Sequence, residues 1–294
     1  MSLFNLLEVA RHGLLHARPS IAVVDVLLAT HATVIAASLF LHRNQTHRCL
    51  ELHPAVQHVL RFWLWLTTGM VTAVFVAVHR RHHARCDTPD DPHSPAIHGM
   101  RRVMLQGSEL YRAAAADPTT LRDYGGGTPD DWIERHVYAR HPNTGIALLL
   151  VLDLVLFGVV GLTIWAVQML WMPVFAAGLL NSVGHGWGWR NADASDTSHN
   201  FLPLGVLIGG EELHNNHHAF PGSAKFSMRW FEFDIGWLYI RLLSLVGLAR
   251  AHAGDRARTG QSSCTATGRS QLLGLHGPAP EPDAVTGGDR HGQR

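Results

Sequence analysis

The chain has 294 residues, 47% of them hydrophobic, and a formal net charge of +1 at pH 7. That balance gives no general affinity for nucleic acid, and the three cysteines (Cys49, Cys86 and Cys264) form no CxxC pair and read as reduced thiols. The unusual feature is distribution: apolar residues are bunched into long runs, and nine of the 22 histidines fall into four groups where such runs end.

Residues 1–19 form a short mixed N-terminal segment whose apolar stretch at 4–10 is too short to span a bilayer, and no signal peptide is expected. From Ile21 to Leu41 only Asp25 and His31 are strongly polar. At 1.5 Å per residue that run reaches roughly 30 Å, the hydrocarbon thickness, and predicts a first spanning helix. It ends in His42-Arg-Asn-Gln-Thr-His47. The next run, Leu60–Val78, ends in His79-Arg-Arg-His-His83. A crossing there would put the two histidine groups on opposite faces of the membrane. The run is therefore expected to be a helix embedded in the protein or lying in the interface.

Residues 84–145 are polar, and Thr88-Pro-Asp-Asp-Pro92 and Gly125-Gly-Gly127 mark turns between short helices. Ile146–Trp165 and Ala166–Val183 predict a helical hairpin joined near residue 165. Asp153, inside its first arm, must face protein or water. Arginines gather beside the histidine groups, and Lys225 is the one lysine, so the positive-inside rule places those groups on the cytosolic side. Asn181 and His185, four apart, share a helical face. Then come Ile208–Pro221, which carries His214, His217 and His218, and Trp230–Trp237 with an apolar amphipathic piece to Leu248. Residues 251–294 hold no Phe, Trp or Tyr and read as a disordered low-complexity tail.

His79, His82 and His83 stand at i, i+3 and i+4, as do His214, His217 and His218, so each trio leans from one helical face. A single HxxHH is as compatible with a solvated polar turn as with half a metal site; its recurrence at run ends on one side favours metal. His42 and His47 are five apart, about 140° round an α-helix, which suits two different metals or a fraying helix end. Nine nitrogen donors exceed the needs of one ion and suit two ions with four or five ligands each. Imidazole favours Fe, Cu, Ni or Zn, and a closed structural zinc site needs only four ligands. Asn181 can hold a metal-bound water.

The motifs HRNQTH, HRRHH, NSVGH and HNNHH in this order, with DPHSP (91–95), GGEELHNNHHAFP (209–221) and EFDIGW (232–237), resemble the integral-membrane fatty acyl desaturases of the stearoyl-type Δ9 class, with the bacterial branch closest. The resemblance covers roughly residues 20–250. It implies an all-α membrane protein with about three spanning helices, one embedded or interfacial helix and a cytosolic histidine-rich helical cap. It implies two non-haem irons as cofactor, O₂ as co-substrate, and removal of two hydrogens from adjacent methylenes of a saturated acyl chain carried on CoA, acyl carrier protein or a phospholipid. By similarity the ligands are His42, His47, His79, His82, His83, His185, His214, His217 and His218, with Asn181 acting through water. Arg190 matches a family position near the substrate head group, and Phe75 stands where the family's Trp lines the acyl path; read from their own placement, Trp187 and Trp189 can line a lipid path, and Glu211, Glu212 and Asp234 can accept ligand N–H groups. The chain holds no Rossmann glycine motif, cysteine-rich cluster or haem-domain signature, so electrons must come from outside, from a ferredoxin or a haem protein with its reductase. A bacterial inner membrane with the site facing the cytosol is the expected location. One departure is Met70–Val78, apolar apart from Thr72 where the family carries polar and acidic residues with a Trp. Two other readings remain: a lipid or alkane hydroxylase using the same centre, and a non-enzymatic membrane metal-binding or transport protein.

Overall fold

Pro19 opens the first long helix of the computed structural model, which describes residues 8 and 10–252. Helix α1 (Pro19–Ala36) has its proline at the first helical position, where the missing N–H costs nothing. It runs without a break into a π-helical segment, Ala37–Thr46. Strand β1 (Leu50–Leu52) follows, and then α2 (Pro54–Thr68) and α3 (Thr72–Arg85).

The single helix expected over 60–78 is thus two helices, bent by 87° at their junction. Gly69 causes the bend: it ends α2 in the left-handed region, at φ 63°. A Cβ at Gly69 would also come within 2.8 Å of the Ile146 side chain and 2.9 Å of the Pro142 carbonyl, so only glycine fits the turn. The chain turns through a right angle here, and the histidine groups flanking it come together.

The polar section holds α4 (Pro95–His98), α5 (Met100–Ala116), α6 (Pro118–Tyr124) and a π-helical turn at Glu134–Tyr138. Helix α5 is longer than expected, 17 residues, and buries Val103, Gly107, Leu110 and Ala114 along one stripe. It packs on the π-helical segment Met172–Leu180, where Gly178 lets the Met104 carbonyl approach to 2.6 Å of where a Cβ would stand.

The apolar hairpin is formed, but its join is not near residue 165. Helix α7 (Pro142–Phe157) turns at Gly158, φ 62°, into α8 (Val160–Trp171), which continues through Met172–Leu180 to α9 (Asn181–Val183). Trp165 lies inside α8 and donates its indole N–H to the Ile146 carbonyl at 3.1 Å. Uniform apolarity gives no contrast at 165, whereas Gly158 supplies a backbone conformation that side chains rarely adopt. The hairpin tip rests beside the N-terminal segment: the Leu14 N–H donates to the Val155 carbonyl at 2.9 Å.

Two helices, Pro19–Thr46 and Val160–Val183, are long and apolar enough to cross a membrane. The bent pair α2–α3 makes a third if it counts as one span, and helix α7, at 16 residues, is a shorter apolar helix of roughly 24 Å. Their outer faces carry exposed Val23, Leu27, Leu28, Val151, Val155, Leu162, Leu170 and Val174, an apolar surface that water does not tolerate on this scale. Asp153 is buried among protein, as its place in an apolar helix requires.

The chain closes with α10 (His214–Ala219) and α11 (Ile235–Leu245). Strand β2 (Leu204–Gly205) pairs in parallel with β3 (Phe233–Asp234), and β4 (Ala249–Ala251) pairs antiparallel with β1. Ala251, assigned to the tail on sequence, therefore belongs to a strand; the remainder of the tail, from 253 on, lies outside the described residues. Behind the histidines a core of Val34, Phe40, Leu41, Leu64 and Met172 joins α1, α2 and the second long helix.

Candidate metal centre

All nine predicted imidazoles converge, and they sort into two groups. His42, His47, His79, His83 and His217 offer ligand nitrogens within 4.8 Å of one another, and His82, His185, His214 and His218 form a second such set. The helix geometry explains the sorting. In α3 the i, i+4 pair His79 and His83 serves the first set while His82 serves the second. In α10 the assignment is reversed: His214 and His218 serve the second set and His217 the first. Each trio therefore clamps one position with a pair and reaches the other with its third member.

His42 and His47 lie in one set rather than two. The π-helical segment makes i→i+5 bonds, including His47 N–H to the His42 carbonyl at 3.0 Å, and this turns residues five apart onto one face. Their ring centroids are 4.6 Å apart. The 140° separation expected of an α-helix does not apply, because the helix is wider where the histidines sit.

Within the sets the Nε2 atoms face one another. His42 and His79 approach to 2.9 Å, His79 and His83 to 3.1 Å, His83 and His217 to 3.0 Å, and His185 and His214 to 3.0 Å. Two nitrogens each about 2.1 Å from one ion and at right angles to each other stand roughly 3.0 Å apart, so the spacing suits neighbouring ligands. His47 Nε2, His82 Nε2 and His218 Nε2 are buried with no hydrogen-bond partner, a costly state that a bound cation relieves. Burial, with repulsion from adjacent imidazoles, holds His47, His214, His217 and His218 well below the ordinary histidine value and His185 at about 4. Their lone pairs are free for a metal at neutral pH. The donor set fits two ions that prefer nitrogen.

Carboxylates stand at Nδ1 of three rings, hydrogen-bonded to His82 and His218 and in a charge contact alone with His42, whose Nδ1 has no aligned hydrogen bond. Glu211 lies 2.9 Å from His42, Asp91 3.0 Å from His82, and Asp196 2.9 Å from His218. Such partners fix the tautomer and leave Nε2 facing inward. Glu212, expected in that role, instead accepts the backbone N–H groups of Ile208 at 2.9 Å and Gly210 at 3.1 Å. Asp234 pairs with the fully buried Arg43 at 2.9 Å and accepts the Phe226 N–H at 2.8 Å. The Arg43 guanidinium stacks 4.0 Å over the Phe226 ring, which in turn lies against His217. Asp196, Arg43 and Phe226 carry no local sequence signal for these contacts; the Arg in HRNQTH and the Asp in EFDIGW meet only in the fold. Cys86 is not remote either: its sulfur is 3.9 Å from His185 Nδ1.

The asparagines of HNNHH seat α10. Asn216 bonds Asn200, Glu232 and the Phe226 carbonyl, and Asn215 accepts the N–H groups of Asn191 and Ala192. Asn181, one turn before His185, donates to the Ala177 carbonyl at 3.2 Å. Arg190 donates to the carbonyls of Ala194 and Asp196, each at 2.7 Å, and so braces the loop that presents Asp196. Trp189 donates to Glu232, Trp187 is exposed, and Phe75 stacks on His79 with centroids 5.7 Å apart.

Long apolar helices beside nine converged imidazoles define a protein with candidate membrane spans and two adjoining histidine groups that could each hold a metal ion. Comparison with known proteins names the class more narrowly. A family model described as fatty acid desaturase matches residues 19–267. The chain is 31% identical over 221 residues to a probable chloroplastic lipid desaturase of Arabidopsis thaliana, covering 73% of this chain and 59% of that protein. It is 29% identical over 218 residues to the sn-1 stearoyl-lipid 9-desaturase of Anabaena variabilis (73% and 77% covered), and 31% identical over 220 residues to an acyl-CoA C20 Δ5-desaturase of Anemone leveillei (74% and 68% covered). The chain belongs to the fatty acid desaturase family.

Proposed function

We propose that this protein desaturates a saturated fatty acyl chain, at a Δ9-type position, with O₂ as oxidant and two iron ions held by the nine imidazoles. The observation that carries the reading is the division of those imidazoles into interleaved sets of five and four. When bound, the iron pair supplies the oxidising chemistry: with O₂, two electrons and two protons, two hydrogens leave adjacent methylenes, giving an alkene and two waters.

The chain's own residues position and protect. Asp91 and Asp196 hold His82 and His218 in the tautomer that donates inward, and Glu211 stands against His42. Phe75 on His79, and Phe226 on His217, give the five-imidazole side apolar walls that keep water from it. Phe40, Leu41, Leu64, Met70 and Phe75 line the adjoining core, a surface suited to methylenes and able to set which carbon pair lies beside the site. Asn181, one turn before His185, would meet the iron through a bound water, and Arg190, Trp187 and Trp189 would meet the substrate's polar end. Electrons come from a ferredoxin or a haem protein with its reductase, and the site faces the cytosol of a bacterial inner membrane.

The acyl carrier is a membrane lipid in this reading, in keeping with the lipid desaturases of Arabidopsis and Anabaena to which the chain is similar; acyl-CoA and acyl carrier protein are the alternatives. Purified protein in lipid nanodiscs, loaded with iron and given O₂ and reduced ferredoxin, should convert the stearoyl chains of its own lipid to monoenes. Alcohol products would mean a hydroxylase, and iron binding without any lipid product would mean a metal-binding or transport protein.

A further inference from the structure

Ten consecutive residues, Phe201–Gly210, hold no charged or hydrogen-bonding side chain, yet they form a loop rather than a helix. Phe201 and Ile208 are buried with Leu180 against Phe175, Leu179 and Val183. Farther along, the Leu207 carbonyl accepts the indole N–H of Trp171 at 3.4 Å. Trp171 lies 12 residues before the end of the long helix at Val183, roughly 18 Å along its axis. On the other flank Gly209, at φ 71°, packs so closely on α1 that a Cβ would come within 2.7 Å of Ser38 and 3.2 Å of the Val34 carbonyl. The loop therefore descends between the two helices long enough to cross a membrane.

Its outer side chains are bare. Leu204 is 61% exposed, and Leu202, Val206 and Leu207 are exposed as well, as are Leu170 and Val174 on the second long helix, whose Trp171 meets the loop. Phe233, paired with Leu204 across the short sheet, and Phe231 and Trp230 before it extend the same apolar surface.

The backbone gives an independent sign. Hydrocarbon cannot satisfy peptide groups, so irregular backbone is tolerated at membrane depth only where protein covers it and its side chains alone meet lipid. Here the buried Glu212 carboxylate accepts from the N–H groups of Ile208 and Gly210. The Gly209 carbonyl accepts from Ser38 at 2.9 Å and from Arg43 at 3.2 Å, the Pro203 carbonyl accepts from Phe233 N–H at 2.8 Å, and Pro203 brings no N–H of its own.

We propose that Phe201–Gly210 is a lipid-immersed wedge, standing in the hydrocarbon of the leaflet on the histidine side with Leu204, Val206 and Leu207 against acyl chains. It places the floor of the histidine site at the bilayer, since Glu211, the next residue, contacts Ser38 and His42. The wedge stands whatever reaction the site performs.

Photo-crosslinking in phosphatidylcholine nanodiscs tests this with p-benzoylphenylalanine at Leu204, at Leu170 as the lipid-facing reference and at Asp193 as the water-facing one. After illumination, phospholipid adducts are measured by mass spectrometry. Leu204 should give adducts within about threefold of Leu170 and roughly tenfold or more above Asp193. A Leu204 yield equal to that of Asp193, or crosslinks from Leu204 to a second copy of the chain in place of lipid, would overturn the proposal. Leu207 carries the same test if the Leu204 variant does not accumulate.

Discussion

Asp91→Asn should strip one metal position and leave the other. Asp91 spreads its oxygens over His82 Nδ1 at 3.0 and 3.1 Å and over the backbone N–H groups of Asp87 at 2.9 Å and His93 at 3.0 Å. Asparagine keeps one oxygen, turns an NH₂ toward a donor and removes the negative charge that makes the imidazole basic. Loss of such an orienting partner lowers metal affinity by about 10- to 100-fold, or about 1.4–2.8 kcal/mol. The loss should fall on the set of four, because His82 belongs there with His185, His214 and His218. Dialysis of iron-loaded protein against a graded series of a competing chelator, with iron counted by plasma mass spectrometry, gives the readout. Wild type should release its two irons at higher chelator, and the variant should pass through a stage near one iron per chain. Glu211→Gln should loosen the other set, through His42. If Asp91→Asn holds both irons with wild-type resistance, the assignment of Asp91 as the orienting partner of His82 is wrong.

His217→Ala should abolish turnover while the protein still fractionates with membranes, and a variant that still forms monoenes in gas chromatography of the host's lipids would remove His217 from the ligands. Arg43→Met leaves Asp234 buried without its cation; breaking a buried pair on one side costs about 3–5 kcal/mol, so the melting temperature should fall sharply, and an unchanged melt would show the pair to be dispensable. The iron-free protein should lose stability as pH falls below about 6.5. Burial depresses the folded-state values of His214, His217 and His218, so the unfolded chain binds protons that the folded chain refuses, and stability present above that pH is lost below it. Melts of the chelated protein between pH 8 and about 5 check the sign, and a rise in stability on acidification would contradict it.

The site was legible because its chemistry is concentrated in short motifs at the ends of apolar runs. The two HxxHH trios needed only helical spacing, and their convergence followed from requiring every run end to lie on one side. Spacing could not partition them, because residues at i, i+3 and i+4 share a face whichever ion they serve. HRNQTH misled for a physical reason: five-residue spacing reads as divergence on an α-helix, and the segment is π-helical. The right-angle turn at Gly69 and the hairpin join at Gly158 depend on single glycines with positive φ, which hydropathy does not weigh. Asp196 is 22 residues from His218, and Asp234 is 191 residues from Arg43; such partners are set by the fold. The apolar stretch 201–210 lacks any period, so its depth beside Trp171 emerges only from packing.

The most direct test of a two-position, all-histidine site is anomalous diffraction at the iron edge from crystals of iron-loaded protein. Two peaks should appear, one among His42, His47, His79, His83 and His217 and the other among His82, His185, His214 and His218. A single peak, or iron bound away from these imidazoles, would contradict the account.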